Sequence, residues 1–339
     1  MSAVTKRFVK PVTEPLRIVS IGGGTGLSSL LNGLKAHCPR VDITAIVTVS
    51  DDGGSSGRLR REFDILPPGD IRNCMVALSE DEALLSRLFQ YRFQAGHGLK
   101  GHSFGNLFLT ALTEITGDFP DAVRKSCEVL KIAGRIFPST AADVSLEAVL
   151  EGGRVVRGES KISRSKRPIL EIRMIPARPR PLREALEAIA QADLITMGPG
   201  SLFTSVIPNL LVEGIPRAMR QSRALKACFV NLMCQPGETT GFRASDHVRA
   251  IHAHGGPGLV DCAVVNTTSI RPLLRRRYAA ESAAPVENDL DALRALGVEV
   301  LEAELLQKGP KVRHNPEAIG AVTLELAMRA RERGSLRNN

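Results

Sequence analysis

Tryptophan is absent from this chain of 339 residues, and aromatic residues make up only 4% of it. Proteins that bind single-stranded nucleic acid stack the bases on aromatic side chains, so the sequence offers few of the platforms that this function needs. No apolar run approaches the ~20 residues of a transmembrane helix, because Arg, Asp, Gly or Pro interrupts each one. The sequence therefore predicts a protein without a membrane span and argues against single-strand binding.

Cysteine is also sparse, and its spacing is uninformative. The six cysteines lie far apart, with no CxxC pair and none of the density of a disulfide scaffold. Lys6, Arg7 and Lys10 precede no apolar segment of the kind that a secretory signal requires. We therefore expect a cytoplasmic protein whose thiols are reduced.

The charge is basic, with 45 Lys and Arg against 36 Asp and Glu, which gives a net charge of +9. This balance favours an anionic partner, such as nucleic acid, acidic lipid or a phosphorylated metabolite. The hydrophobic fraction of 43% is typical of a globular protein. With so few aromatic residues, the composition favours a small anion.

Hydrophobic periodicity predicts the fold class. A short buried strand over residues 17–21 is followed by a helix and then by a second strand over residues 43–49. Leu27, Leu30, Leu31 and Leu34 recur at helical spacing between the two strands. Such a βαβ unit places its strands in parallel. Further strands are predicted over residues 194–197, 228–232, 260–265 and 298–301. The sequence thus predicts an α/β protein: a doubly wound, Rossmann-like, mostly parallel sheet with helical and small β insertions.

The domain organisation follows from shifts in composition. Residues 1–16 are predicted to form a flexible tail, and residues 17–325 a single α/β domain. Within it, residues 17–150 form a first nucleotide-binding half with a helical block. Residues 151–183, where Lys and Arg outnumber Asp and Glu, form a short basic β excursion, and residues 184–325 form the second half. A closing helix is predicted over residues 316–333, and residues 326–339 are assigned to a basic C-terminal tail. The basic segment also supports nucleic-acid binding as a third functional hypothesis.

The first glycine cluster lies directly between a predicted strand and helix: Gly22, Gly23, Gly24, Thr25 and Gly26. Glycines let the backbone approach an anion, and the free N–H groups of a helix start favour a phosphate there. Leu27 stands where a dinucleotide fingerprint requires its third glycine, and no Lys follows as in a P-loop. We therefore expect a phosphate-binding loop that belongs to neither of these types; the alternative is a plain tight turn.

The second loop follows the second strand and is rich in acids and glycine: Ser50, Asp51, Asp52, Gly53 and Gly54. Acidic groups there can bind ribose or base atoms, or a hydrated Mg²⁺ that bridges phosphates. A solvated turn is the alternative. Asp70 is predicted either to cap a helix or to point into the same cleft.

Two later strands also end in loops of ligand-binding type. One contains Gly198, Pro199, Gly200 and Ser201, and the other begins at Asn231. Because parallel strands present their carboxyl ends at one edge of the sheet, we expect these loops to share a single pocket.

Residues 101–105 match the nucleophile elbow of the hydrolases, with Ser103 at its centre. That motif works only where a strand delivers the serine, and the preceding residues are polar and glycine-rich. We therefore expect Ser103 and Asn106 to cap a helix or to contact ligand hydroxyls, rather than to catalyse. His247 and His252 lack a metal-ligand partner at suitable spacing, so no metal is expected there.

Taken together, residues 22–27, 50–57, 68–72, 101–106, 198–201 and 231–239 resemble the motifs of the YvcK/CofD-like family. The likeness is stronger to its gluconeogenesis factors than to its 2-phospho-L-lactate transferases. It implies a cytosolic regulatory protein that binds UDP-sugars such as UDP-N-acetylglucosamine without a required cofactor. It also implies support of cell-envelope synthesis and cell shape during gluconeogenic growth, with envelope enzymes as partners. The resemblance adds Tyr278 and Arg313 to the ligand contacts of the first loop.

The same resemblance supplies an alternative function. In the transferases, acidic residues of the second loop are associated with Mg²⁺ and the acceptor hydroxyl, so Asp51, Asp52 and Asp70 are the candidates for catalysis here, and Asp51 and Asp52 for the metal. Two positions depart from the family pattern, Cys234 in place of Thr and Asn315 in place of Asp. The resemblance is compatible with a homodimer.

Overall fold

The computed structural model describes residues 14–80 and 84–336. Its centre is a seven-stranded sheet in which all neighbouring strands run parallel. The strands of this sheet are β1 (Leu16–Gly22), β2 (Val41–Val47), β3 (Arg135–Pro138), β7 (Leu194–Met197), β8 (Leu225–Phe229), β9 (Cys262–Asn266) and β10 (Glu299–Ala303). Their spatial order is β10-β9-β8-β7-β1-β2-β3. The predicted doubly wound sheet is confirmed.

A second, three-stranded antiparallel sheet interrupts the chain between β3 and β7. Its strands are β4 (Ser145–Leu150), β5 (Val155–Arg157) and β6 (Ile169–Ile175), in the order β5-β4-β6. The β insertion therefore starts at Ser145 and not at the predicted residue 151, because the apolar strand β4 supplies its buried face through Leu146, Ala148 and Leu150.

Helices surround both sheets. Those of the first half are α1 (Gly24–Lys35), α2 (Gly54–Phe63), α3 (Gly69–Leu78), α4 (Leu85–Gln90), α5 (Phe104–Thr116) and α6 (Phe119–Val129), and α7 (Glu159–Ser163) lies in the insertion. Those of the second half are α8 (Arg183–Gln191), a π-helical turn (Leu202–Val206) that continues into α9 (Ile207–Leu210), α10 (Ile215–Gln221), α11 (Ala244–Gly255), α12 (Pro272–Ala280), α13 (Leu290–Ala295) and α14 (Pro316–Leu336). None of the helices in the described ranges is long and apolar enough to cross a bilayer.

Helix α1 is packed tightly against the sheet and against α14. The four leucines predicted as its apolar stripe are fully buried. At Gly33 a Cβ atom would overlap the carbonyl oxygen of Pro316, so the two helix backbones touch. This contact fixes α1, and with it the glycine cluster at its start.

Both predicted tails need correction where the structure describes them. Leu16 belongs to β1, while residues 1–13 of the predicted N-terminal tail lie outside the described residues. Residues 326–336 continue α14, with Leu326 and Ala327 buried. Arg331 of this segment forms an ion pair with Asp193. The arginines of this segment pair with Asp193 and Glu299, so the segment packs against the domain as part of a helix.

Candidate functional site

A cavity of about 470 Å³ opens at the carboxyl edge of the large sheet. It lies where β1 and β7 are neighbours, the point from which the sheet extends to β2 on one side and to β8 on the other. Ligands of doubly wound proteins bind at such a switch point. The described lining residues are Gly23, Gly24, Thr25, Gly26, Ser29, Thr48, Asp51, Asp70, Glu159, Pro199, Gly200, Ser201, Thr204, Ser205, Asn231, Leu232, Met233, Gln235, Val312, Arg313 and His314.

The first glycine cluster forms the start of α1 inside this cavity. Gly23 occupies the cap position with an extended backbone and no capping side chain, and the first turn contains no acidic residue. The N–H groups of a first helical turn have no partners within the helix and attract anions. Asp70 accepts a hydrogen bond from the Gly24 N–H. The N–H groups that follow it line a wall suited to a phosphate.

The second glycine loop, residues 198–201, forms the opposite wall, but its helix start is already occupied. The Glu238 carboxylate accepts hydrogen bonds from the N–H groups of Phe203 at 2.7 Å and Thr204 at 3.2 Å. Burial raises the pKa of Glu238 to about 7. Glu238 thus takes two N–H groups of this helix start, whereas at α1 Asp70 accepts the Gly24 N–H and the N–H groups that follow it face the cavity.

Three carboxyl groups line the side of the cavity near β2. Burial raises the pKa of Asp70 to about 7, and the negative charge of Asp51 adds to this effect. Burial also raises the pKa of Asp51 and of Glu159. Asp52 is turned away from the cavity and accepts the Ser160 N–H at 2.8 Å.

This acidic side bears on the predicted magnesium site. Among the residues that the structure describes, no three His, Cys, Asp or Glu side chains are grouped to hold a metal ion. Magnesium usually takes one or two protein carboxylates together with substrate phosphates. Asp51 and Asp70, whose negative charges repel each other, fit that smaller donor set. Asp52 does not fit it, because its carboxylate is hydrogen-bonded outside the cavity.

The remaining wall comes from the segment that precedes α14. Arg313 is the cation among the described lining residues, and within the described ranges its side chain has no hydrogen-bond or ion-pair partner. Burial lowers the pKa of His314 to about 4, so this neighbour is uncharged at neutral pH. Tyr278 lies behind the wall, where its hydroxyl accepts the Val312 N–H at 3.2 Å. Tyr278 therefore supports the segment that presents Arg313.

The structure leaves several predicted site residues outside the cavity lining: Gly22, Ser50, Asp52, Gly53, Gly54, Ser103, Asn106, Gly198 and Tyr278. Ser103 caps α5 by accepting the Asn106 N–H. The Asn106 side chain donates to the hydroxyls of Ser55 and Ser56 at 3.2 and 3.4 Å. The motif around Ser103 thus supports the acidic loop from behind. Ser103 forms an isolated β-bridge with Arg92, so it does not follow a buried strand as the serine of a nucleophile elbow does.

Sequence reasoning did not identify Glu159 or His314 as parts of this site. Glu159 starts α7 and reaches the cavity because the insertion folds over the acidic loop. Nothing local in the sequence indicates such a long-range contact. The polar loop from Asn231 did indicate Gln235, whose side chain donates to the Ser201 hydroxyl at 2.8 Å.

The two departures from the family pattern also have defined places. The Cys234 thiol is buried and donates to the Phe242 carbonyl. The Asn315 side chain accepts the Glu317 N–H at 3.0 Å at the start of α14. Both stabilise turns and neither side chain lines the cavity.

Two of the histidines and two arginines of the insertion have structural partners. The His254 ring accepts the Ile172 N–H at 3.1 Å, and His247 is bonded to the Arg243 carbonyl at 2.9 Å. In the basic insertion, Arg157 pairs with Glu147 and Arg173 with Glu171. These pairs reduce the positive field of the segment considered for nucleic-acid binding.

Fold and cavity together define a doubly wound α/β protein in which a glycine-rich helix start faces a cavity at the switch point of the sheet. The family model for 2-phospho-L-lactate transferase CofD matches residues 18–306. The gluconeogenesis factor of Bacillus subtilis is 48% identical over 311 residues, which cover 91% of this chain and 98% of the relative. The gluconeogenesis factor of Halalkalibacterium halodurans is 49% identical over 309 residues, 91% of this chain and 95% of the relative.

A solved structure agrees with these matches. The crystal structure of a Bacillus halodurans protein, described as a member of the UPF0052 family, has a TM-score of 0.88 and 48% sequence identity. The match covers 91% of this chain and 99% of that one. The chain belongs to the CofD-like family, among the gluconeogenesis factors.

Proposed function

We propose that this protein binds a nucleotide sugar, with UDP-N-acetylglucosamine as the representative ligand, and acts as a regulator rather than as a catalyst. The start of α1 carries the proposal, because the N–H groups that follow Gly24 open into a cavity of about 470 Å³ beside the unpaired Arg313. A diphosphate placed there would accept hydrogen bonds from backbone N–H groups and would face the guanidinium group of Arg313. The second helix start cannot serve, since Glu238 occupies it.

The two sides of the cavity suit the two ends of such a ligand. Carboxyl groups on the β2 side can accept hydrogen bonds from sugar hydroxyls. Amide side chains on the β8 side, from Asn231 and Gln235, can pair with polar groups of a nucleoside. The relatives named gluconeogenesis factors support a regulatory role during gluconeogenic growth. We propose that the bound ligand reports precursor supply to enzymes of cell-envelope synthesis and so influences cell shape. A cytoplasmic location remains a prediction.

Calorimetry with UDP-N-acetylglucosamine tests the proposal. We expect saturable binding to the wild-type chain and a loss of at least tenfold in affinity for Arg313→Ala, because a charged group facing a phosphate is removed. Arg217→Ala is the matched control, since Arg217 is exposed on α10. Absence of saturable heat with UDP-sugars would reject the proposal.

A second function is favoured by the carboxyl groups at the cavity and by the family model, which is described as a 2-phospho-L-lactate transferase. In this alternative, Asp51 and Asp70 would hold Mg²⁺, which supplies charge neutralisation for a transferred phosphorus-containing group. The helix start of α1 would hold the donor phosphates, and Glu159 would face the acceptor side. Mass spectrometry of a nucleotide donor incubated with an alcohol acceptor, with and without Mg²⁺, decides it: no Mg²⁺-dependent product would contradict the alternative.

A further inference from the structure

Helix α12 and the turn beside it form a basic surface at the carboxyl edge of the large sheet, which we call the α12 patch. The helix follows β9, and the turn, residues 308–311, follows β10. None of the cations of the patch is among the described lining residues of the main cavity. Six cations of the patch are exposed: Arg271, Arg275, Arg276, Arg277, Lys308 and Lys311.

The positive charge of the α12 patch is not neutralised by the part of the chain that the structure describes. None of the six cations forms an ion pair there, and neither does Glu281, the acid that follows the helix. Arg271 and Arg277 donate to the carbonyl oxygens of Gly309 and Pro310 at 2.5 and 3.2 Å. A carbonyl is neutral, so these bonds hold the turn against the helix and leave the charge unpaired. The patch therefore attracts an anionic surface.

The patch also has an apolar component. Leu274 is the buried residue of α12, whereas Leu273 beside it is 80% exposed. Together with Pro272 and Pro310, the two leucines line an open groove of about 900 Å³, which Arg271, Arg276 and Arg277 surround. An exposed leucine among unpaired cations gains free energy when it is removed from water. The surface that covers this patch should therefore offer both negative charge and an apolar interior.

A membrane with anionic lipids offers both. Clusters of Lys and Arg on a helix bind its negative headgroups, and an apolar side chain among them enters the boundary between headgroups and acyl chains. Nucleic acid matches the charge but gives Leu273 no apolar surroundings. The ring of Tyr278 is not free to stack on bases, because it is half-buried and Arg277 lies over it at 5.7 Å. An acidic polymer likewise matches the charge alone.

We propose that the α12 patch binds the surface of a membrane that contains anionic lipids, with Leu273 inserted between the headgroups and the arginines against their phosphates. The contact is peripheral, because α12 has nine residues and a bilayer span needs about 20. Each cation close to such a surface strengthens binding about fivefold. This inference goes beyond the proposed function and does not depend on it.

Co-sedimentation of the full chain with vesicles tests the proposal. We expect binding to vesicles of phosphatidylglycerol and phosphatidylcholine in equal amounts, weakened by salt, and none to phosphatidylcholine alone. Arg276→Glu should lower the affinity at least tenfold, because an attractive charge is replaced by a repulsive one. Leu273→Ser should lower it roughly threefold through the lost insertion. Matched changes at exposed positions outside the patch, Arg217→Glu on α10 and Leu170→Ser on β6, should bind as the wild type does.

Folding of the two patch variants is checked by the unfolding temperature, which should equal that of the wild type because both side chains are exposed. Failure of the wild type to sediment with the anionic vesicles would overturn the proposal. Equal losses in Arg276→Glu and Arg217→Glu would also overturn it, since net charge and not the patch would then attract the vesicles.

The leucine separates a membrane from a soluble polyanion. Single-stranded RNA and polyglutamate carry negative charge without an apolar interior, so we expect both to bind more weakly than the anionic vesicles and to be insensitive to Leu273→Ser. Vesicle binding that Leu273→Ser leaves unchanged would overturn the insertion of this side chain. Equally tight binding to either polymer would then assign the patch to that polymer and reject the membrane. Neither result bears on the calorimetry with UDP-N-acetylglucosamine, so the two proposals fail separately.

Discussion

The backbone of Gly26 lies against the carbonyl group of Pro199, so closely that a Cβ atom at position 26 would overlap the carbonyl oxygen. Gly26 belongs to the first turn of α1, and Pro199 to the loop that follows β7. The two glycine-rich loops of the cavity therefore touch each other across the switch point. This contact sets the width of the cavity at its centre, where the diphosphate is proposed to bind.

Replacement of Gly26 by Ala should disturb both stability and binding. The added methyl group forces the two loops apart, and overpacking of this kind costs about 1–3 kcal/mol. We expect the free energy of unfolding in urea to fall by that amount and the affinity for UDP-N-acetylglucosamine to fall with it. Gly309→Ala is the control, because no atom lies within 4 Å of a Cβ built there. A Gly26→Ala variant as stable as Gly309→Ala would contradict the close contact.

The sequence was enough to predict that these loops share an edge of the sheet, because each loop follows a predicted strand and the carboxyl ends of parallel strands lie at the same edge. It could not separate their roles. The helix starts near Gly23 and Phe203 follow similar glycine loops. They differ because Asp70 accepts one N–H group of the first, whereas Glu238 folds back onto two N–H groups of the second. Such a contact depends on tertiary packing between residues 35 positions apart.

The limits at the ends of the fold have a related cause. The strand β3 was not predicted, since its four residues carry too little periodicity to distinguish them from a loop. The closing helix was predicted to reach residue 333, in agreement with α14, but residues beyond 325 were also assigned to a basic tail. The arginines of this segment are conspicuous in sequence, whereas their partners Asp193 and Glu299 lie far away along the chain. Charge alone did not reveal which basic residues are paired.

The buried Glu238 should make stability depend on pH. Its pKa is about 7 in the folded chain and near the ordinary Glu value in the unfolded chain. The folded state therefore binds more protons between these values, and its stability falls as the pH rises from roughly 4 to 7. In Glu238→Gln, which keeps an acceptor for the N–H groups of Phe203 and Thr204, this contribution disappears.

Urea unfolding from pH 4 to pH 8 measures the effect. The stability of Glu238→Gln relative to wild type should increase with pH across that window and become constant above it. The expected increase is about 1.4 kcal/mol for each unit by which burial raises the pKa. Glu213→Gln, at an exposed position, should follow the wild-type profile. Parallel profiles for Glu238→Gln and wild type would show that the carboxyl group ionises normally.

Replacement of Tyr278 should change the affinity for the ligand without disturbing the fold. Its hydroxyl accepts the Val312 N–H beside Arg313, and a hydrogen bond of this kind contributes about 0.5–1.5 kcal/mol. We expect Tyr278→Phe to weaken UDP-N-acetylglucosamine binding by about two- to tenfold in calorimetry, through a less ordered Arg313 segment. The only other tyrosine of the chain, Tyr91, is 51% exposed and does not line the cavity. If Tyr91→Phe causes the same loss, the effect is not specific to this segment.

Arg331 should contribute strongly to stability, because it fastens the end of α14 to the start of the domain. Its guanidinium pairs with Asp193 and donates to the backbone carbonyls of Glu14 and Pro15, both at 2.7 Å. The Asp193 carboxylate also accepts a hydrogen bond from the Arg17 N–H at 2.7 Å, so it joins α14 to β1. We expect Arg331→Ala to lower the free energy of unfolding by about 2–3 kcal/mol, since charge-assisted hydrogen bonds are lost from a partly buried network.

The matched control for Arg331→Ala is Arg294→Ala, because Arg294 pairs with the fully exposed Asp291 on the same helix. Exposed pairs contribute little, so a change within about 0.5 kcal/mol is expected in urea unfolding. A chain shortened after residue 325 should be less stable still, because it also loses the buried Leu326 and Ala327. A shortened chain with wild-type stability would mean that residues beyond 325 behave as a tail in solution, against the docked helix described above.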